Sequence, residues 1–153
     1  MSDRGEEVFS NIVVGTDGSG TARLAVSLAA DLAQQHGAIL HLVNVYKVPS
    51  VGPGLVPGAP VVAFDEATSA EALRDTSMAV LAEAAKTVGS VKVETHSRRG
   101  NPADAVVKVA DAVGADLIVV GSKGMRGARR MIGSVPNSIA HKASCHVLIA
   151  KTV

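Results

Sequence analysis

The chain has 153 residues, 47% of them apolar and 2% aromatic, and its 15 basic and 14 acidic side chains leave a formal charge of +1. A chain of this length can bury a core of its own, built here from Val, Ala, Leu and Ile, while the near-balance of charge argues against a protein made to coat nucleic acid or an anionic membrane. No apolar run reaches bilayer-spanning length, "MSDRGEEVFS" is no secretory leader, and the single cysteine, Cys145, allows no internal disulfide, so one cytoplasmic domain is expected over 1–153.

Residues 8–17, "VFSNIVVGTD", form a short β-branched run that stops at Gly15 and predict a buried strand. In 19–37 the residues Ala22, Ala25, Val26, Ala29, Leu32 and Ala33 recur at helical spacing, with Ser19 placed to cap the start and Gly37 to end it. "AILHLVNVY" (38–46) predicts the second strand. Pro and Gly then crowd the stretch from 47 to about 64, which predicts a loop or flap that a bound ligand would quieten. Residues 65–88 return to helical periodicity, and "VKVETHS" (91–97) predicts a strand with one wetter face. Pro102 suits the first turn of a helix over 101–114. "ADLIVVG" (115–121) is the most hydrophobic strand, 134–144 a short helix capped by Ser134, and 145–153 a final strand. Such alternation predicts an α/β fold: an open five-stranded parallel sheet with helices on both faces, Rossmann-like in layout.

In open sheets of this kind ligands sit beyond the carboxyl ends of the strands, where the strand order reverses. Two segments qualify, "GTDGSG" after the first strand and "GSKGMRG" after the fourth. The second opens a stretch in which Gly121, Gly124, Gly127 and Gly133 lie among Lys123, Arg126, Arg129 and Arg130, with no acid between. Backbone amides of a glycine-rich turn, together with the positive end of the following helix, make an anion site. The plainer alternative is a strand-to-helix connection with solvated arginines. "GTDGSGTA" is not a P-loop, because Thr21 stands where the Lys should be, and the dinucleotide fingerprint fails at Arg23. Asp17 suits a turn capping the first helix as well as it suits a ligand.

His36, His41, His96, His141 and His146 fall at no recognised ligand spacing, so no metal site is expected among them. Cys145 reads as a small core hydrophobe. No aromatic side chains interleave the basic cluster to stack bases, which argues against a nucleic-acid partner. "VLIAKTV" reads as an edge strand, guarded by Lys151 or open to pairing.

With these blocks in view, the sequence resembles the universal stress proteins in their ATP-binding branch. "IVVGTDGS", "GNPADAVVKVA", "ADLIVVGSKG" and "GSVPNSIAHKASCHVLIAK" carry the likeness along nearly the whole chain. The family pattern is G-x2-G-x9-G-[ST]; Gly121, Gly124, Gly133 and Ser134 match it, except that eight residues separate Gly124 from Gly133 rather than nine. The resemblance implies an adenine nucleotide, ATP first and cyclic AMP as the alternative. In that picture Gly15 and Thr16 line the adenine side, and Asp17 faces the ribose or helps hold Mg2+. Val45 offers its backbone to the base. Val120 belongs to the binding site, Gly121, Ser122, Gly124 and Arg126 wrap the phosphates, and Gly133, Ser134 and Val135 close the far side. It also implies a homodimer through the last strand (145–151), acting as a stress-response regulator. Beyond Asp17 neither loop holds a base or nucleophile, so at most slow ATP hydrolysis is expected. The competing reading is an interaction or scaffold protein of the same fold that binds no nucleotide.

Overall fold

The computed structural model describes residues 9–49, 58, 66–122 and 133–152. Its elements run β1 (Asn11–Gly15), α1 (Gly20–His36), β2 (Ile39–Tyr46), α2 (Glu66–Lys86), β3 (Val93–Arg99), α3 (Pro102–Val113), β4 (Leu117–Gly121), α4 (Ser134–Lys142) and β5 (His146–Ala150). All five strands are parallel, in the order β3-β2-β1-β4-β5. Among the described residues, no helix is long and apolar enough to cross a membrane.

Alternate residues of each central strand feed two cores. Ile12 and Val14 of β1, Leu40 and Leu42 of β2, and Leu117 and Val119 of β4 pack under α1 and α2. Val13, Val43, Ile118 and Val120 point the other way, against Ala103, Val106, Val109 and Ala110 of α3 and Ile139 of α4. Both faces of the central strands are therefore dry, which is why their sequences are continuous apolar runs rather than alternating ones. On α1 the buried positions are Ala25, Val26, Ala29, Ala30 and Ala33. Side chains this small let the helix lie close on the sheet and replace the bulk that aromatics would supply.

The predicted caps form. Ser19 Oγ accepts from the Ala22 amide at 3.1 Å, and Gly37 ends α1 in the left-handed region. α3 begins with Pro102 in its first turn as expected, and Asn101 adds a cap that the sequence reading had not named, accepting from the Asp104 amide. At α4 the expectation needs correction: Gly133 is the cap and makes no side-chain hydrogen bond, while Ser134 is the first residue inside the helix. The Pro/Gly stretch predicted as a ligand-responsive flap lies, apart from 47–49 and 58, outside the described residues.

β3 and β5 are the two edges of the sheet. β3 was expected to have one wetter face and has two, with Glu94 and Arg98 exposed on one side and Thr95 and Arg99 on the other; Leu148 of β5 is exposed.

Candidate functional site

Strand order reverses between β1 and β4, and the ladder opens there. Their register runs only to Val14 opposite Val119. Beyond that point each strand follows its outer neighbour. Gly15 pairs with Val43, and the Thr16 amide donates to the Val43 carbonyl at 2.9 Å. On the other side Gly121 pairs with Ala150, and the Ser122 amide donates to the Ala150 carbonyl at 2.9 Å. The strand ends splay, and a cavity of about 350 Å3 lies in the cleft.

Its walls come from separate elements. Val43, Val45, Val106, Val120 and Ile139 are apolar, whereas Thr16, Asp17, Asn44, Ser134 and Thr152 bring polar atoms. An apolar hollow with a few convergent polar groups is the usual form of a small-molecule site. The first turn of α4 borders it through Ser134, Val135 and Pro136. In a helix the first amides have no intrahelical acceptor, so those of Ser134 and Val135 are available to an anion, while Pro136 has none to give.

The loop after β1 is held from several directions. The buried Asn44 Nδ2 donates to the Thr16 carbonyl at 2.7 Å. Thr16 Oγ1 accepts from the Gly18 amide at 3.2 Å, and Asp17 Oδ1 accepts from the Ser19 amide at 2.9 Å. Gly18 sits at φ 80°, in the left-handed region that favours glycine, and a Cβ there would press on the Val80 side chain at 3.3 Å. Across the cleft, a Cβ on Gly121 would come within 3.1 Å of Thr152 Cγ2. The glycine lets the end of β5 close behind β4.

Of the sequence candidates, Gly15, Thr16, Asp17, Val45, Val120, Gly121, Ser134 and Val135 all line this one cavity. Ser122 does not. It is buried, its hydroxyl lies 3.3 Å from that of Thr152, and its Oγ accepts from the Thr152 amide at 3.1 Å, tying β4 to the chain after β5. Gly133 supplies the α4 cap. Gly124 and Arg126, with Lys123, Arg129 and Arg130, lie outside the described residues. Asp17 forms the predicted turn, accepting from the Ser19 amide, and also lines the cleft.

Sequence reasoning missed Asn44, Thr152 and the α3 wall at Pro102 and Val106. Asn44 left a signal, a lone amide inside the apolar run "HLVNVY". Pro102 and Val106 left none, because they read as ordinary helix positions. The histidines also hold a surprise: His41 and His96, 55 residues apart, meet across β2 and β3.

The universal stress protein family model matches residues 9–151. A universal stress protein of Mycobacterium tuberculosis (strain ATCC 25618 / H37Rv) is 33% identical, over 94% of this chain and 97% of the relative. A universal stress protein crystallised in complex with cAMP superposes with a TM-score of 0.70 at 32% identity, covering 95% of this chain and 99% of that one. UspA from Lactobacillus plantarum gives a TM-score of 0.70 at 25% identity, over 92% and 96% of the two chains. The match runs through all five strands and the described residues on both sides of the cleft, and on these grounds the chain belongs to the universal stress protein family.

Proposed function

We propose that the chain is an adenine-nucleotide-binding regulator, with the nucleotide in the cleft between β1 and β4. The observation that carries this is the cavity itself, which joins apolar walls to a helix N-terminus within one hollow of nucleoside size. The base would lie among Val43, Val45 and Val106, near enough for the Val45 backbone to meet its polar edge. Asp17 would face the ribose or share a Mg2+ ion. The phosphates would run from Gly121 toward the amides of Ser134 and Val135, where the helix dipole favours negative charge.

ATP is the preferred ligand, because the cations at 123–130 are more than one phosphate needs. The relative solved with cAMP favours that ligand as a second reading. Asp17 is the one carboxylate lining the cavity among the described residues. Hydrolysis resting on that one carboxylate would be slow, and the role we infer is to report nucleotide state rather than consume it. The edge strand β5, with Leu148 exposed, would pair with a second copy.

Calorimetric titration of the purified chain with ATP, with and without Mg2+, and with cAMP tests the ligand. One equivalent of ATP is expected, weakened at least about tenfold by Asp17→Ala, or about 1.4 kcal/mol. Tighter binding of cAMP than ATP would select the second reading. No binding of either at millimolar concentration would leave the scaffold reading standing.

A further inference from the structure

Away from the nucleotide cleft, the α3 side of the sheet carries a polar cluster where β2 meets the edge strand β3. His41 pairs in register with Glu94, and Val43 with His96, so the three polar side chains rise from one face. His41 Nδ1 lies 3.0 Å from His96 Nε2 and 3.4 Å from Glu94 Oε2. The other ring nitrogen, Nε2, lies 3.0 Å from Asn11 Oδ1 on β1. None of these four residues lines the cleft.

Asn11 Oδ1 can only accept, so His41 Nε2 carries the proton and Nδ1 presents its lone pair. That lone pair and the Glu94 carboxylate are both electron-rich, yet they face each other at 3.4 Å from a histidine side chain only 2% exposed. A proton on His96 Nε2 can be shared with that lone pair, and a cation held by all three groups would satisfy lone pair and carboxylate together.

We propose that His41 Nδ1, Glu94 Oε2 and His96 Nε2 form a binding site for a divalent first-row transition ion of the zinc type. The spacing fits the chemistry: bonds near 2.1 Å at tetrahedral angles put donor atoms about 3.4 Å apart. All three donor atoms lie within 4.8 Å of one another, so only small rotations of the two outer side chains are needed. Two imidazoles and one carboxylate are a donor set suited to zinc, and water completes it through the side where Glu94 is 49% exposed. Asn11 is then a positioning residue. By accepting from Nε2–H it fixes the His41 tautomer that a metal requires, the service an outer hydrogen-bond acceptor usually gives a metal-bound histidine. Arg98, two residues on along β3, donates back to the Ser97 carbonyl at 2.9 Å. The ion would clip the sheet's edge strand to its neighbour.

The test is a zinc titration of the untagged, chelator-stripped chain against a chromophoric competitor at pH 7.5. One tight equivalent is expected, with a higher Tm in the presence of zinc. Asn11→Ala should weaken binding about 10- to 100-fold and Asn11→Asp should restore it, whereas His96→Ala and Glu94→Gln should cost more than the alanine at Asn11. The last two side chains are partly or largely exposed, so the fold tolerates their loss. His36→Ala, His141→Ala and His146→Ala should change nothing. The proposal is overturned if no stoichiometric zinc binds, or if the binding survives His96→Ala and therefore belongs to other histidines. Neither result bears on the nucleotide cleft, whose residues are separate.

Discussion

Asn44 shows how one side chain can hold a site open. Its amide reaches from β2 to the Thr16 carbonyl, at the point where β1 has left β4. Asn44→Ala would strand that buried carbonyl without its donor. We expect a loss of about 1–3 kcal/mol in denaturant unfolding, the usual cost of an orphaned polar group, together with weaker nucleotide binding. His41 and His96 give a second prediction at this scale. Burial pushes both imidazoles below their ordinary value of 6.5, outweighing the Glu94 carboxylate that favours the charged form of each; His41 and Arg98 press further on His96. The unfolded chain therefore takes up protons at a higher pH than the folded one. The stability held above pH 6.5 should decline as the pH falls through the two lowered values. Unfolding midpoints of metal-free protein between pH 7.5 and 5 check this, and a midpoint that rises on acidification through that range would refute it. These effects were invisible in the sequence, where the histidines sit on different strands and only register brings them face to face.

Among the elements, α4 carries the sharpest test. Ser134 is its first residue, exposed and at the rim of the cleft. Ser134→Glu places an anion where the helix dipole welcomes it, so thermal stability should hold or rise by a few tenths of a kcal/mol. The same charge would repel a phosphate, and affinity for ATP should drop at least tenfold, about 1.4 kcal/mol. A variant that kept its affinity would place the phosphates elsewhere. Elements were also the level at which the sequence was most readable. Ser19, Gly37 and Pro102 mark helix ends by local chemistry, and the structure uses each where that chemistry puts it. The start of α4 failed by one residue, because glycine at 133 can cap with its backbone alone and leaves the serine inside.

At the scale of the whole molecule, both ends of the sheet are edges, and they are treated differently. β3 offers polar side chains, whereas β5 offers Leu148 with Val147 and Ile149 half-buried beside it. If β5 is where two copies meet, Leu148→Arg should shift sedimentation from dimer to monomer while leaving the far-ultraviolet circular dichroism unchanged. A wild-type chain that sediments as a monomer at high micromolar concentration would end that reading. Periodicity, caps and the two glycine-bearing loops were enough to determine the α/β class, the order of elements and the end of the sheet where the cleft opens, because each depends on residues close together in the chain. The splaying of β1 from β4, the inward reach of Asn44, the diversion of Ser122 to Thr152 and the meeting of His41 with His96 were decided only by tertiary structure. Strand register and helix placement set those contacts across 28 to 55 residues, and no local pattern records which distant side chain will stand opposite.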